Sequence, residues 1–585
     1  MRQRNHSKIL FSVLIGILLL SSSTVIPQAL RSSPSFPSLP LVSVASSYSS
    51  STDPMALVPY SLKSFHLPNG SAGPWGITSD RFGRIWFVEE SSNQIGMFDP
   101  SKENFTEYNI PTKDSLPEMI AVDNSGNVWF SELNPSQLGE LKAGTSTIVE
   151  YKIPKNSQNL SCGPIGVTPD SSGNIWITCE FSNQIDEFIP QGEAFLSFDL
   201  PVFFSAPLDI VFDPSGNFWF TAADSGMIGY VTVSDLKNGS SNGINEFAPI
   251  NQTYAETITN PDSPSEIVTT SLSTPSEIAL SPDGNTLWIT EHTASSFDKY
   301  EISSKTLVKY WTTQTGSSQY PDSLPNGVAV DKNGIVWIAE HYGNKIAEFD
   351  PETEEMIEYP IPCCSTGIAG TLYLTAAPDG AIWFSEFYGN AIGELEPSPS
   401  GANDGLSVSI GRSLLGMNST GSTMETSVSL SVQNFSKGEQ QLISNATLEA
   451  SGISSNGTLT NCMVSFDPST VSLSQNGKNT SVLTIETSGL KAGTYYLTIS
   501  ARTSPQSLIY STILKVTVFG APQPDRSLLI EGIILGGAAS VAVVGVMAVY
   551  LARTRRIRRS SSPRRTRSSR KRQKKKVSKD RMAAD

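Results

Sequence analysis

Five glutamates recur at one place in this sequence. Glu89, Glu132, Glu291, Glu340 and Glu386 each lie three residues after a tryptophan, and Cys179 and Ala222 hold the same place after Trp176 and Trp219. Carboxylates gathered at one mouth repel one another unless a divalent cation, a lysine or arginine, or a cationic ligand sits among them. The alternative is structural: each glutamate caps its own loop by accepting backbone N–H bonds. Only four histidines exist, and two of them, His292 and His341, directly follow Glu291 and Glu340. An imidazole beside a carboxylate is suited to metal ligation or general-base work. On the chemical reading Glu291, Glu340 and Glu386 are metal-ligand candidates for Mg²⁺ or Ca²⁺. His341 and His292 are then the catalytic candidates, and Glu89 and Glu132 complete a ligand-binding ring. An exposed loop histidine beside a structural glutamate is the plainer alternative, and consecutive strand residues do point to opposite faces.

The elements that would hold these residues are repeats. The run Gly73-Pro-Trp-Gly-Ile-Thr-Ser-Asp-Arg-Phe-Gly-Arg-Ile-Trp-Phe-Val-Glu89 returns as Leu116-Pro-Glu-Met-Ile-Ala-Val-Asp-Asn-Ser-Gly-Asn-Val-Trp-Phe-Ser-Glu132, and again around Trp176, Trp219, Trp288, Trp337 and Trp383. An Asn-x-Ile-Gly-like run follows most copies, as at Asn93, Asn344 and Asn390. Four short β-prone runs per copy, separated by turn residues, are the signature of a propeller blade. The repeat therefore predicts a seven-bladed β-propeller over 60–396, with the tryptophans packed between blades. The last copy lacks a fourth strand, and Ser64-Phe-His-Leu-Pro68 resembles the missing piece, so the N-terminal strand is expected to close the ring. The long Trp219–Trp288 interval places an insertion, Asn251–Thr274, on the face that carries the glutamates.

Residues 397–405 read as a Pro/Ser/Gly linker, and the alternating runs of 406–519 as an Ig-like β-sandwich serving as a stalk. The fold class is thus all-β, a propeller and a sandwich followed by a single C-terminal transmembrane helix. An apolar stretch after Arg2, Arg4 and Lys8 reads as a signal peptide over 1–29. A second, 528–552, is long enough to span a bilayer. The basic segment behind it places the tail, 553–585, in the cytoplasm and the bulk outside. That tail carries 16 Lys or Arg against Asp580 and Asp585, which leaves −28 on the remainder of a chain whose net charge is −14. It is expected to contact anionic lipid, and its lack of aromatic residues argues against nucleic acid. Eleven Asn-x-Ser/Thr sequons are consistent with a glycosylated exterior. Of five cysteines, Cys162 and Cys179 fall at two same-face positions of one blade and are candidates for a disulfide. Cys363, Cys364 and Cys462 have no evident partner.

The phrase Pro-x-Gly-Ile-x-x-Asp-x-x-Gly-x-Ile-Trp-Phe-x-Glu, followed by Asn-x-Ile-Gly, resembles the streptogramin (virginiamycin B) lyase family over roughly 64–396, and more distantly NHL-repeat and gluconolactonase-like propellers. The resemblance implies a magnesium-dependent elimination that opens a cyclic depsipeptide, with a histidine base two residues after a metal-holding glutamate. In this sequence the residues two after Glu291, Glu340 and Glu386 are Thr293, Tyr342 and Tyr388, and His292 and His341 are offset by one. Two functions follow. One is a membrane-anchored surface recognition module for an extracellular protein, glycan or small molecule. The other is a metal-dependent lyase or lactone hydrolase at the channel mouth. No Ser-His-Asp or nucleophilic cysteine arrangement supports a covalent mechanism.

Overall fold

The repeated tryptophan organises the core of the computed structural model. Trp129, Trp176, Trp288, Trp337 and Trp383 are fully buried, and several meet an aromatic ring of the following blade. Trp129 packs on Phe188 with ring centroids 5.8 Å apart, and Trp288 on Phe349 at 5.6 Å. Such pairs add directional preference to the burial of large apolar area. The described residues are 46–49 and 60–519, except 237–240, 251–255, 260–266, 271, 316–321, 363–367, 398–405, 413, 419–422, 433–444, 453–462, 474–477, 487–491 and 503–507. The expected signal peptide, transmembrane segment and basic tail, and Cys363, Cys364 and Cys462, lie outside them. No helix among the described residues is long and apolar enough to cross a membrane.

Seven four-stranded antiparallel meanders form the propeller. The first blade runs Pro74–Ser79, Ile85–Glu89, Gln94–Asp99, Asn104–Asn109 from the inner strand outward. In its inner hairpin Asp80 accepts bonds from the backbone N–H groups of Phe82 and Arg84 and from Trp86 Nε1, the last at 3.1 Å. Asp123 and Asp170 do the same for Trp129 and Trp176. The repeated aspartate thus locks the hairpin and the indole together. The glycine of the Asn-x-Ile-Gly run makes room for a cross-strand ring: a Cβ on Gly139 would stand 2.1 Å from Phe130.

The asparagine of that run clips consecutive blades together. Asn93 Nδ2 donates to the carbonyls of Ile110 and Thr112, and its Oδ1 accepts from Ser115 N, holding the loop that leads into the second blade. Asn183, Asn344 and Asn390 repeat the pattern. All four adopt a left-handed backbone, which asparagine tolerates better than most residues. The ring closes as the sequence predicts. Ser61–His66 is the outer strand of the last blade, paired with Ala391–Glu396, and Asn390 bonds to Asn69 O and Ala72 N. A short strand, Ser46–Ser49, adds outside Ser61–His66.

Residues 406–519 form two sheets with a shared apolar core that includes Val428, Leu430, Leu483, Leu497 and Leu514. This unit does not stand apart from the propeller. Glu355–Glu358, on the outer strand of the sixth blade, pairs with Ile509–Thr512, so that blade and one sheet are continuous. Thr498 Oγ1 also donates to Trp311 O at 2.6 Å, and Tyr310 meets Tyr496. The exposed edge that a blade would otherwise present is thereby covered. In the insertion, Glu256–Thr259 pairs with Ile267–Thr270 as a short hairpin.

Candidate functional site

Every blade carries a β-bulge at the start of its inner strand, between Pro74 and Ile77 in the first and at the matching place in the other six. A bulge places two residues opposite one and re-aims side chains. The freed amide is satisfied by a hydroxyl of the second strand: Gly166 N donates to Thr178 Oγ1, Asp209 N to Thr221, and Tyr373 N to Ser385. The same hydroxyls stitch blades, since Thr178 and Thr221 donate to the carbonyls of Leu208 and Ser276 in the next blade. A second contact recurs seven times. The N–H four residues after the tryptophan donates to the carbonyl just before the inner strand, as in Glu90 N to Gly73 O and His341 N to Leu324 O.

These two devices decide which side chains face the mouth. The glutamates three after the tryptophan do not converge there; each points outward along its own blade. Glu89 accepts from Ser92 Oγ and lies near Glu107 of its outer strand. Glu132 stands beside Ser115 and Glu150. Glu386 accepts from Ser64 on the closing strand at 2.6 Å. Glu291 pairs with Lys309 at 3.4 Å and accepts from Ser273 N. Glu340 pairs with Lys345 at 3.1 Å, and Lys345 also binds Glu358 at 2.8 Å and Thr313 O at 3.0 Å. All five glutamates are buried. Strand alternation explains the difference, because the side chain that turns away from one face cannot join a ring on it.

The residues one further on reach the mouth: Glu90, Leu133, Glu180, Ala223, His292, His341 and Phe387. His292 and His341 do come together across the fifth and sixth blades, with ring centroids 5.9 Å apart and nearly parallel planes. His341 also stacks on Tyr388 and Tyr342. Both His341 ring nitrogens and His292 Nδ1 are buried without a hydrogen-bond partner. Burial holds both imidazoles neutral, with pKa values lowered to about 4 for His292 and about 3 for His341, where the neighbouring His292 adds repulsion. On the other side, Glu118 from the bulged inner strand lies beside the Trp75 indole and within electrostatic reach of Glu90 and Glu180. Desolvation lifts Glu90 to about 7, and desolvation followed by repulsion from Asp224 lifts Glu180 to about 8. On the inner strands of the fifth and fourth blades Glu277 lies near Asp209, and burial again pushes both upward. The mouth thus carries an acidic cluster that adjoins aromatic rings, since Trp75, beside Glu118, also meets Tyr373 and Phe387.

The predicted metal ligands do not fit a divalent ion. Glu291 and Glu340 are engaged by lysines, and Glu386 accepts from Ser64 on the closing strand. Among the described residues, one group of three potential donors converges, Cys162, Cys179 and Asp186. Its cysteines are joined in a disulfide with Cα atoms 4.5 Å apart, as their positions in the blade suggest, so no thiolate is free to ligate. Sequence reasoning missed Glu90, Glu118 and Glu180. The usable signal is the place four after each tryptophan and the place after each inner-strand proline, read with a bulge between them.

Residues 59–240 match the model of the virginiamycin B lyase family, and residues 205–378 that of the SMP-30/gluconolactonase/LRE-like region. The propeller is virginiamycin B lyase-like, with gluconolactonase-like relatives. Among solved structures, a streptogramin B lyase is 24% identical, covering 58% of this chain and 98% of its own, with a TM-score of 0.48. The virginiamycin B lyase of Staphylococcus aureus is 24% identical, covering 57% and 99%, at 0.47. Hydrazine synthase of Kuenenia stuttgartiensis is 13% identical, covering 57% and 98%, at 0.45. No curated protein matches the chain.

Proposed function

We propose that this chain is a recognition module displayed outside the cell on a single membrane anchor, and that its ligand binds at the mouth of the propeller channel. The observation that carries the reading is the set of buried polar groups left unmatched there, Glu90 Oε2 and both His341 nitrogens. Unmatched buried groups cost about 1–3 kcal/mol each, and a bound ligand that satisfies them recovers that cost. An Ig-like sandwich joined in-sheet to the sixth blade is the spacer. The basic tail lies against anionic lipid on the inner side.

A metal-dependent lyase or lactone hydrolase is the second reading. It is favoured by one observation, the neutral His292–His341 pair, whose free nitrogens suit a general base. Its Mg²⁺ or Ca²⁺ would have to be held by groups other than Glu291, Glu340 and Glu386. To separate the two, the full-length chain in detergent is titrated calorimetrically with Mg²⁺, Ca²⁺, Mn²⁺ and Zn²⁺, beside a His292→Ala/His341→Ala variant. Both are then incubated with a cyclic B-type streptogramin. The recognition reading expects no micromolar metal site that depends on the pair and no ring opening. Metal-dependent ring opening that the variant loses would sink it.

A further inference from the structure

Beside the acidic cluster of the mouth lies an apolar rim. Phe181 directly follows Glu180 and is 44% exposed. Two loops flank its turn. Asn156 Nδ2 donates to Ser182 O and holds the loop carrying Leu160, while Asn183 Nδ2 donates to Val202 O and holds the loop carrying Phe203 and Phe204. Leu160, Phe203 and Phe204 are also exposed, Phe203 at 42%, and Phe203 packs on Phe204 with ring centroids 4.1 Å apart. Four large apolar side chains held in solvent by side-chain-to-backbone bonds make a patch of the kind that marks a binding surface. Inside the mouth, Glu90 and Glu118 are each only 7% exposed, Glu90 Oε2 has no partner, and no ion pair reaches Glu90, Glu118 or Glu180 among the described residues.

We infer that the ligand is a peptide segment that sends one arginine side chain into the mouth, toward Glu90, Glu118 and Glu180, and lays apolar neighbours on the rim of Leu160, Phe181, Phe203 and Phe204. This inference rests on the recognition reading. A guanidinium offers a planar fork of N–H donors suited to two or more carboxylates, and its faces stack on aromatic rings such as Trp75 and Phe387. Glu180 and Phe181 are consecutive, so one residue of the ligand turns inward where the next meets the rim. Burial holds part of the acidic cluster protonated near neutrality; an entering cation favours the charged carboxylates, so binding releases protons and tightens as pH rises.

The test pans a random hexapeptide library, displayed on phage, against the full-length chain in detergent. Enriched peptides are then resynthesised with arginine replaced by citrulline, its neutral isostere. The expected result is enrichment of arginine flanked by leucine, phenylalanine or other apolar residues, with a tenfold or greater loss of affinity on the citrulline exchange. Glu90→Gln/Glu118→Gln causes a similar loss. Phe203→Ser, a change at an exposed side chain, weakens binding severalfold while thermal unfolding is unchanged. Absence of any enriched peptide, or equal binding of the citrulline form, overturns the ligand class. Agmatine bound as tightly as the peptide overturns the role of the rim. None of these three outcomes touches the recognition reading itself, which falls only to metal-dependent turnover.

Discussion

Replacing Lys345 with methionine tests whether the glutamates after the tryptophans serve the fold. Lys345 Nζ lies 3.1 Å from Glu340 Oε2, 2.8 Å from Glu358 Oε1 and 3.0 Å from Thr313 O, and all three groups are buried. At an effective dielectric of about 20, each ion pair contributes roughly 5 kcal/mol of attraction, set against several kcal/mol of desolvation per ion. Removing one partner of such a buried set costs about 3–5 kcal/mol, because the remaining charges stay buried without compensation. Methionine keeps most of the volume and isolates the charge. Burial already holds Glu340 well above the usual carboxylate range, whereas Lys345 helps to hold Glu358 below it; in the variant Glu358 loses that cation and takes up a proton in the folded state. The folded form then binds more protons than the unfolded form, so stability falls as pH rises, and the loss is larger at pH 8 than at pH 5.5. Urea unfolding followed by tryptophan fluorescence reads this. Lys142→Met is the control, since Lys142 is half exposed and its contact with Glu140 is 3.3 Å, where about 0–1 kcal/mol is expected. Equal losses in the two variants, or a Lys345→Met loss that does not depend on pH, would refute the reasoning.

Stability of the unmodified chain is expected to fall between pH 6.5 and 8. Glu90, Glu132 and Glu180 sit at about 7, 8 and 8, above their unfolded values, so the stability they lend below about pH 4.5 is lost as pH rises through those values. His292 and His341 act the other way near pH 6.5, where the unfolded imidazoles are still half protonated and the folded ones are neutral, but two half-titrated groups do not outweigh three protonated carboxyls, and their opposition fades by pH 8. Scanning calorimetry at pH 6.5 and 8 checks this, and Glu180→Gln should flatten the slope; a melting temperature that rises over the interval contradicts it. Ring closure is tested with Asn390→Gly, which keeps the left-handed backbone at φ 51° but removes the bonds to Asn69 O and Ala72 N. The expected cost is about 1–3 kcal/mol, with earlier proteolysis between Ser61 and Ala72. An unchanged melting temperature and cleavage pattern would show that the clip contributes nothing.

The blades were legible because their determinants are local and repeated. Asp80, Gly83 and Trp86 lie within seven residues, and the same triplet returns from Asp123, Asp170, Asp213 and Asp331, with Ser281 and Ala377 in place of the aspartate in the fifth and seventh copies. Closure was legible for the same reason, since Ser64-Phe-His-Leu-Pro68 looks like other outer strands. The site was not, because its geometry turns on a single residue of register. Glu340 and His341 are adjacent in sequence, yet one is paired with Lys345 inside the blade and the other stacks on His292 at the mouth. Only the bulge after each inner-strand proline settles which goes where, and a bulge has no fixed sequence signature. Glu118 escaped notice because it sits in the inner strand, where the repeat offers Trp75, Ile165 and Leu208 at the same place. The junction between Glu355–Glu358 and Ile509–Thr512 joins segments about 150 residues apart, and neither carries a mark of the other.

That junction has a mechanical consequence. The strand Ile509–Phe519 is the last of the described fold, and it is hydrogen-bonded along both edges. Gly493–Arg502 runs along one edge, and Glu355–Glu358 followed by Leu414–Asn418 along the other. Tension arriving through residue 519 acts along the strand, so it loads these ladders in shear, many bonds at once, instead of peeling them one by one. Under the proposed anchoring, a load on the propeller would pass from the sixth blade into the last strand through this backbone pairing.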